Sequence, residues 1–226
     1  MERYRNKLDW IVPQIECRNV LYVGSADEDP ANFHKHRILN EKLQAIAASM
    51  ISVYQFDQQS AIARKAGIEA RTSHPERLEL GEQFDVVLAV DNLEHLSNCG
   101  LFLEGLARHV TPDGSVLLST PNPVGLMRVL WNLVYGETKT NREHTCWFSK
   151  QVLDQLSRRH GLCVSSEVFI DEMHVYYRTN DPDRPLGFGK QLLTRLVLGF
   201  NRIICPLLPQ FSETLGFTLK RQQRDV

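Results

Sequence analysis

Residues 84–96 read FDVVLAVDNLEHL, and the apolar run that opens this stretch decides the fold. A continuous run of this kind is typical of a parallel strand that is buried on both faces of its sheet. Similar short runs lie on either side of it, NVLYV at 19–23 and SVLLS at 115–119. Helical periodicity at 33–49 and at 101–110 fills the intervals between them. Strands that alternate with helices in this way predict an open, mostly parallel α/β sheet.

The remaining segments fit the same architecture, and we expect a single domain over residues 1–226 with helical cap elements around 123–147 and 186–207. Ser149 is well placed to cap the helix that follows it, and Gly161 to end it. The other predicted strands are 51–56, 68–72, a stretch within 164–177, and 211–220. The other predicted helices are 60–67, 124–135, 149–160 and an amphipathic helix at 190–205.

Composition narrows the class of protein. Hydrophobic residues make up 42% of the 226 residues and the formal net charge is −1, so nothing favours a nucleic-acid partner, which usually requires a concentrated basic surface. Five scattered cysteines lack the close spacing of a zinc or redox motif and indicate free thiols in a reducing compartment. The charged start MERYRNKLDW has no apolar run of a secretory signal, and no stretch reaches the ~18 apolar residues of a spanning helix. We therefore expect a cytoplasmic protein.

Polar residues follow the predicted strands where a ligand would bind. In an open α/β sheet, ligands lie beyond the carboxyl ends of the strands, at the point where the strand order reverses. Gly24 ends the first of these strands, where a residue without a side chain lets the backbone approach a ligand, although it could equally be a plain turn glycine. Asp57 ends the next strand, where a carboxylate can accept both ribose hydroxyls of a nucleoside, or can simply cap a helix. His74, Asp91 and the segment 120–122 occupy the equivalent places after three further strands.

A family resemblance is carried by three blocks in a fixed order: FDVVLAVDNLEHL, TPDGSVLLSTPNP and EHTCWFSKQVLDQLSRRHGL. Over about residues 18–170 the chain resembles class I S-adenosylmethionine-dependent methyltransferases. It is most similar to the small-molecule group that includes ubiquinone-biosynthesis O-methyltransferases and bacterial cell-surface glycan methyltransferases. The resemblance implies a Rossmann-like fold of seven strands, the last one antiparallel at 211–220, with S-adenosyl-L-methionine as cofactor. The cofactor-binding residues implied are Gly24, Ser25, Asp27, Asp57, Gln58, His74 and Asp91.

The chain departs from the family pattern at two places. The first family motif usually has an acidic residue followed by three alternate glycines, but here Tyr22 takes the acidic position and only Gly24 remains of the glycines. Relatives also commonly have an aspartate near the adenine amino group, where this chain has His74. The departures favour an alternative function, that of a catalytically inactive methyltransferase-fold binding or scaffold protein. A nicotinamide dehydrogenase is disfavoured, because no GxGxxG follows the first strand.

Two histidines are the candidates for catalysis. A hydroxyl acceptor must lose a proton during methyl transfer, and histidine suits this role because its ordinary pKa of about 6.5 lies near neutrality. His95 and His144 are the candidate bases, each with structural hydrogen bonding as the alternative, and Glu94 and Glu143 are weaker candidates. We predict no metal site, since His34 and His36, two apart on a helix, would point to different faces.

The expected partner is a small-molecule or glycan acceptor, or a lipid-linked one, in O-methylation that belongs to glycan, lipopolysaccharide or quinone biosynthesis. The apolar face of the helix at 190–205 can lie on a membrane surface or bind an acyl or prenyl tail. It can also pack on the domain or form a homodimer. The protein would then be cytoplasmic, or peripheral to the inner membrane.

Overall fold

A computed structural model describes residues 1–24, 30–138, 140–171, 199–200 and 203–222, apart from the side chains at 30–32, 35 and 134. The strands are β1 (Glu2–Tyr4), β2 (Asn19–Val23), β3 (Ser49–Tyr54), β4 (Ala70–Thr72), β5 (Phe84–Val90), β6 (Val110–Pro121), β7 (Leu162–Ile170) and β8 (Thr214–Arg221). The helices are α1 (Lys7–Ile15), α2 (Pro30–Gln44), α3 (Asp57–Lys65), α4 (Cys99–His109), α5 (Leu126–Tyr135) and α6 (Lys150–Arg159).

The eight strands form one sheet in the order β1-β7-β8-β6-β5-β2-β3-β4. β8 runs antiparallel to both of its neighbours, β6 and β7, and every other pair is parallel. The predicted α/β class and the reversed last strand are therefore confirmed. The predicted number of strands is wrong, because Glu2–Tyr4 adds an eighth strand beside β7. These three residues have no apolar run, and so they carry no strand signal.

The sheet has an apolar core on each face. One face is covered by α4 and α6, whose buried residues include Phe102, Leu106 and Leu153. The other is covered by α1, where Trp10 and Ile11 pack on the central strands. The sequence indicated no element before β2, so α1 was missed. Helix α1 is buried on this side because its apolar residues recur at helical spacing and form one face, which packs on the sheet.

Most predicted elements agree with the structure within a few residues. β2 and β5 have the predicted bounds, and Ser149 caps α6 by accepting a hydrogen bond from the Val152 N–H. Helix α2 ends at Gln44 rather than near residue 49, because Ala47 forms a bridge with Glu16 that turns the chain into β3.

Two predictions fall partly outside the described residues: the stretch 172–177 after β7 and most of the helix at 190–205. Within the part of the chain that the structure describes, no helix is long and apolar enough to cross a membrane.

Candidate functional site

The candidate site lies where the strand order reverses, between the carboxyl ends of β2 and β5. Both strands begin parallel connections that lead to opposite sides of the sheet, which opens a crevice between their ends. Asn92, just past β5, is buried and donates a hydrogen bond from Nδ2 to the Val23 carbonyl at 2.9 Å. This bond fixes the two strand ends against each other.

Gly24 is required by its protein neighbours, and its predicted contact with a cofactor stays a prediction. A Cβ at this position would lie 2.5 Å from both Cδ1 and Cε1 of the Tyr54 ring and 3.1 Å from the Val53 carbonyl oxygen. The Gly24 N–H also donates to that carbonyl at 2.8 Å. The glycine therefore permits close packing of β2 on the end of β3. Ser25 and Asp27, the next predicted cofactor residues, lie outside the described residues.

A buried polar ladder holds α2 to the sheet beneath Gly24. The Tyr22 hydroxyl lies 2.8 Å from His36 Nδ1, and Asn40 Nδ2 donates to the Ser52 hydroxyl at 2.6 Å and to the Tyr54 hydroxyl at 3.0 Å. Burial holds the pKa of Tyr22 well above its ordinary value and raises that of Tyr54 to about 12. Both phenols therefore stay neutral, and a neutral hydroxyl stands where relatives carry an acid.

Helix α2 separates the two histidines that were considered as a metal pair. His36 is buried against Tyr22, whereas His34 is exposed. Their different surroundings follow from the helix itself, since positions two apart on a helix face different ways.

Asp57, Gln58 and His74 lie at the carboxyl ends of β3 and β4, and all three are exposed. Asp57 is the first residue of α3, while Phe56 takes the N-cap position without a side-chain bond. The Asp57 carboxylate is therefore not used as the helix cap. A carboxylate that accepts hydrogen bonds thus lies near an amide and an imidazole that can both accept and donate them.

His74 accepts a hydrogen bond at Nδ1 from the Glu76 N–H at 3.2 Å. In the neutral ring this assigns the proton to Nε2, so His74 offers a hydrogen-bond donor at that atom. An aspartate only accepts hydrogen bonds, whereas this tautomer of His74 can donate one. The predicted contact of His74 with a cofactor stays a prediction.

Asp91 is held by protein groups at the end of β5. Its Oδ1 accepts from the Ser119 hydroxyl at 2.7 Å, and its Oδ2 pairs with Lys7, whose side chain is 6% exposed. Its backbone has a φ of +48°, a strained value for a residue other than glycine. The predicted contact of Asp91 with a cofactor stays a prediction. Lys7 was not recognised as a site residue, because it lies 84 residues away in sequence.

Glu94 is the most buried acid beside the crevice, with 1% of its surface exposed. Thr120 donates from Oγ1 to Glu94 Oε2 at 3.0 Å. Burial and the neighbouring charge of Asp91 hold the pKa of Glu94 well above its ordinary value, while Thr120 and Lys7 act in the opposite direction. The Glu94 carboxyl therefore keeps its proton to a higher pH than an exposed glutamate does.

His95 and His144, the two predicted bases, meet beside Glu94. Their rings are in edge-to-face contact with centroids 4.8 Å apart, and His144 lies in a similar contact with Trp147 at 5.8 Å. His95 Nδ1 is 3.9 Å from Glu143 Oε2. The segment that carries His144 is fixed because the Thr145 N–H donates to the Glu94 carbonyl at 2.8 Å. Two histidines that are far apart in sequence are thus brought to one place.

Helix α5 and its buried ion pair close this side of the crevice. Arg128 pairs with Glu213 at 3.0 Å, with both side chains nearly buried, and its guanidinium lies 5.1 Å from the centre of the Trp147 ring. Glu213 also accepts from the Met127 N–H at 2.8 Å. The pair anchors the start of α5 to the segment before β8, and so positions Trp147.

The side chains of Glu94, His95 and His144 can also be considered as metal ligands. One ligand atom from each lies within 4.8 Å of the others. A carboxylate and two imidazoles are donors that divalent first-row metals accept. The sequence reasoning considered each residue singly and did not predict this grouping.

Fold and site together define a Rossmann-like α/β protein with polar side chains at the carboxyl ends of its central strands. A family model described as a methyltransferase domain matches residues 27–167. This match covers more than half of the chain, and the chain belongs to the methyltransferase domain family. The predicted class of S-adenosylmethionine-dependent methyltransferase is confirmed at the level of family and fold.

The curated relatives that match are named ubiquinone biosynthesis O-methyltransferases. The one from Azorhizobium caulinodans is 35% identical over 92 residues, and the one from Bradyrhizobium diazoefficiens is 31% identical over 91 residues. Each match covers 38% of this chain and 36% of the relative. The chain thus matches little more than a third of these relatives' length. The narrower resemblance to glycan methyltransferases stays a prediction.

Solved structures agree with the fold over nearly the whole chain. An S-adenosylmethionine-dependent methyltransferase from Mesorhizobium loti is similar with a TM-score of 0.58 at 13% identity, covering 95% of this chain and 96% of that one. An O-methyltransferase from a Brevibacillus brevis polyketide synthase, solved with S-adenosyl-L-homocysteine, gives 0.57 at 12% identity, covering 96% and 72%. At such identities the similarity concerns the fold.

Proposed function

We propose that this protein transfers a methyl group from S-adenosyl-L-methionine to a hydroxyl group of a small molecule or glycan. The observation that carries the proposal is the pairing of His95 with His144 on the same sheet edge as the exposed carboxylate of Asp57. One end of the crevice thus offers groups for a nucleoside, and the other offers proton acceptors. Both are needed for transfer to a hydroxyl.

The cofactor supplies a sulfonium methyl group that is displaced in line, so the protein needs mainly to align the reactants and exclude water. Asp57 would accept hydrogen bonds from the two ribose hydroxyls, and His74 would donate one from Nε2 to the adenine ring. His144 or His95 takes the proton of the acceptor hydroxyl. Glu94 has a supporting role: its side chain accepts from Thr120, and its backbone carbonyl accepts from the Thr145 N–H in the segment that carries His144.

The nature of the acceptor is supported by exposed apolar side chains in two segments. On α5, Leu133 and Tyr135 are exposed, and Ile203 and Leu207 are exposed in the segment before β8. Such surfaces suit a lipid-linked glycan or a quinone precursor with a prenyl tail. Peripheral contact with the inner membrane through 190–205, or a homodimer, is part of the same proposal.

Calorimetry with S-adenosyl-L-methionine and S-adenosyl-L-homocysteine tests the nucleoside half of the proposal. We expect binding that Asp57→Ala weakens by about 10- to 100-fold, because hydrogen bonds to a charged group contribute about 1.5–3 kcal/mol. Asp113→Ala, which removes an exposed carboxylate far from the carboxyl ends of the strands, is the matched control and should bind as the wild type does.

The inactive scaffold remains the rival function, and the crowding of Gly24 by Tyr54 favours it. Absence of binding at millimolar ligand would support this rival and refute our proposal. Equal binding by the Asp57→Ala and Asp113→Ala variants would refute the ribose contact alone.

Methyl transfer from labelled cofactor to 3,4-dihydroxybenzoate, a simple catechol, tests the proton-accepting half. His144→Ala should lower kcat by about 10²–10⁴-fold while the affinity for the cofactor stays unchanged. A His144→Ala variant with wild-type kcat would leave His95 as the candidate base. Full activity of a variant with both His95→Ala and His144→Ala would exclude both histidines as the base.

A further inference from the structure

Two cysteines that the proposed mechanism does not use lie in contact beside the histidine pair. The sulfur atoms of Cys99 and Cys146 are 3.6 Å apart, although the residues are 47 positions apart in sequence. Cys99 is the first residue of α4, and Cys146 follows His144 by two positions. Nothing in their sequence spacing indicated this pair.

The surroundings of the two thiols are polar on one side. Both sulfurs lie near the Leu93 carbonyl oxygen, at 3.4 Å for Cys99 and 3.6 Å for Cys146. The Thr145 hydroxyl donates to the Cys146 sulfur at 3.6 Å. Both side chains are half-buried rather than enclosed, so a small reagent can reach them.

The contact lets one sulfur act as the nucleophile and the other as the resolving thiol. Two half-buried thiols at contact distance are the arrangement that reacts with an oxidant and then closes to a disulfide.

We propose that Cys99 and Cys146 form a reversible oxidation site that a peroxide converts to a disulfide. The Cys146 thiolate attacks one peroxide oxygen, an S–O bond forms, the O–O bond breaks, and the departing hydroxide takes up a proton to leave as water. The Cys99 sulfur then attacks the sulfenic sulfur, an S–S bond forms, the S–O bond breaks, and a second water leaves with the Cys99 proton. Two thiols are oxidised and one peroxide is reduced to two waters.

The disulfide would act on the segment that carries His144. The sulfurs must approach from 3.6 Å to about 2.05 Å, which draws the 144–147 segment towards the start of α4. His144 lies in this segment and contacts His95. A displacement of about 1 Å at a reacting group can lower a rate by about 10²-fold. This consequence for methyl transfer rests on the proposed function, whereas the thiol chemistry does not.

The test uses the full chain, first reduced and then treated with hydrogen peroxide. We expect two of the five thiols to be lost, a linked peptide that joins Cys99 to Cys146, and full recovery with dithiothreitol. Cys17→Ser removes an exposed cysteine outside the pair and should still lose two thiols, while Cys99→Ser should give no linked peptide. The proposal is overturned if all five thiols survive, if the linked peptide joins other cysteines, or if the two variants behave alike.

Calorimetry on the reduced and oxidised forms separates this proposal from the previous one. The affinities of the reduced and oxidised forms for S-adenosyl-L-methionine should differ by no more than about twofold. The reason is that Cys99 and Cys146 lie beside the histidine pair, where the methyl acceptor is proposed to bind. Failure of both forms to bind would refute the proposed function and leave the thiol result standing.

Discussion

Replacing Glu94 by glutamine tests the buried proton on which our description of the site depends. The glutamine keeps the size of the side chain, and its amide oxygen can still accept from Thr120, but it cannot ionise. The unfolded chain loses the Glu94 proton near pH 4.5, whereas the folded chain keeps it to a much higher pH. Between these two values the folded state holds one proton more than the unfolded state.

The sign and size of the effect follow from this difference. When the folded state binds the additional proton, the free energy of unfolding falls as pH rises, by up to about 1.4 kcal/mol per pH unit for one proton. The decline begins above pH 4.5 and stops when the pH passes the raised pKa of Glu94 in the folded protein. Glu94→Gln lacks this decline, so the variant should gain up to about 2.8 kcal/mol relative to the wild type between about pH 5 and pH 7.

Urea unfolding of both proteins at about pH 5, 6, 7 and 8 measures this difference directly. The pH at which the difference stops growing gives the pKa of Glu94 in the folded protein. Glu137→Gln, at an exposed position, is the matched control and should follow the wild type at every pH. A difference between wild type and Glu94→Gln that stays constant over this whole pH range would refute the buried proton.

Three further changes test the ion pair, the glycine packing and the cysteine pair that surround the site. Lys7→Met should lower the free energy of unfolding by about 3–5 kcal/mol, because it leaves the Asp91 carboxylate buried beside an uncharged group; adding Asp91→Asn should recover part of this loss in urea titrations. Gly24→Ala should cost about 1–3 kcal/mol through its overlap with the Tyr54 ring, and a calorimetric melt in which it is neutral would contradict the packing. Peroxide-treated protein should gain at most about 4 kcal/mol from closing a ring of 47 residues, seen as a higher Tm that dithiothreitol reverses.

The sequence predicted those parts of the fold whose signals are local. The strands at 19–23 and 84–90 and the cap at Ser149 each depend on a short pattern that tertiary contacts reinforce. Lys7 could not be predicted, because nothing near it in sequence says that α1 crosses the sheet and delivers its ammonium group to Asp91. Strand β1 was missed for the same reason, since its three residues pair only with β7.

For the site, the sequence identified candidate residues but neither their contacts nor the shifts of their pKa values. It named His95 and His144 separately, and the contact between them depends on the Thr145 N–H bond to the Glu94 carbonyl, which no spacing rule contains. It offered a ligand or a plain turn as the reason for Gly24, and the close approach of the Tyr54 ring was not among these reasons. Chemistry that depends on burial or on long-range pairing, such as the raised pKa of Glu94, became visible only with the fold.

The charges around the crevice also act on the buried acid beside the two histidines. Burial is the largest cause of the raised pKa of Glu94, and the negative charge of Asp91 adds to it. Lys7, which pairs with Asp91, acts on this pKa in the opposite direction. An N-terminal helix that the family pattern did not indicate thus contributes one of the charges that set the pKa of Glu94, through one ion pair.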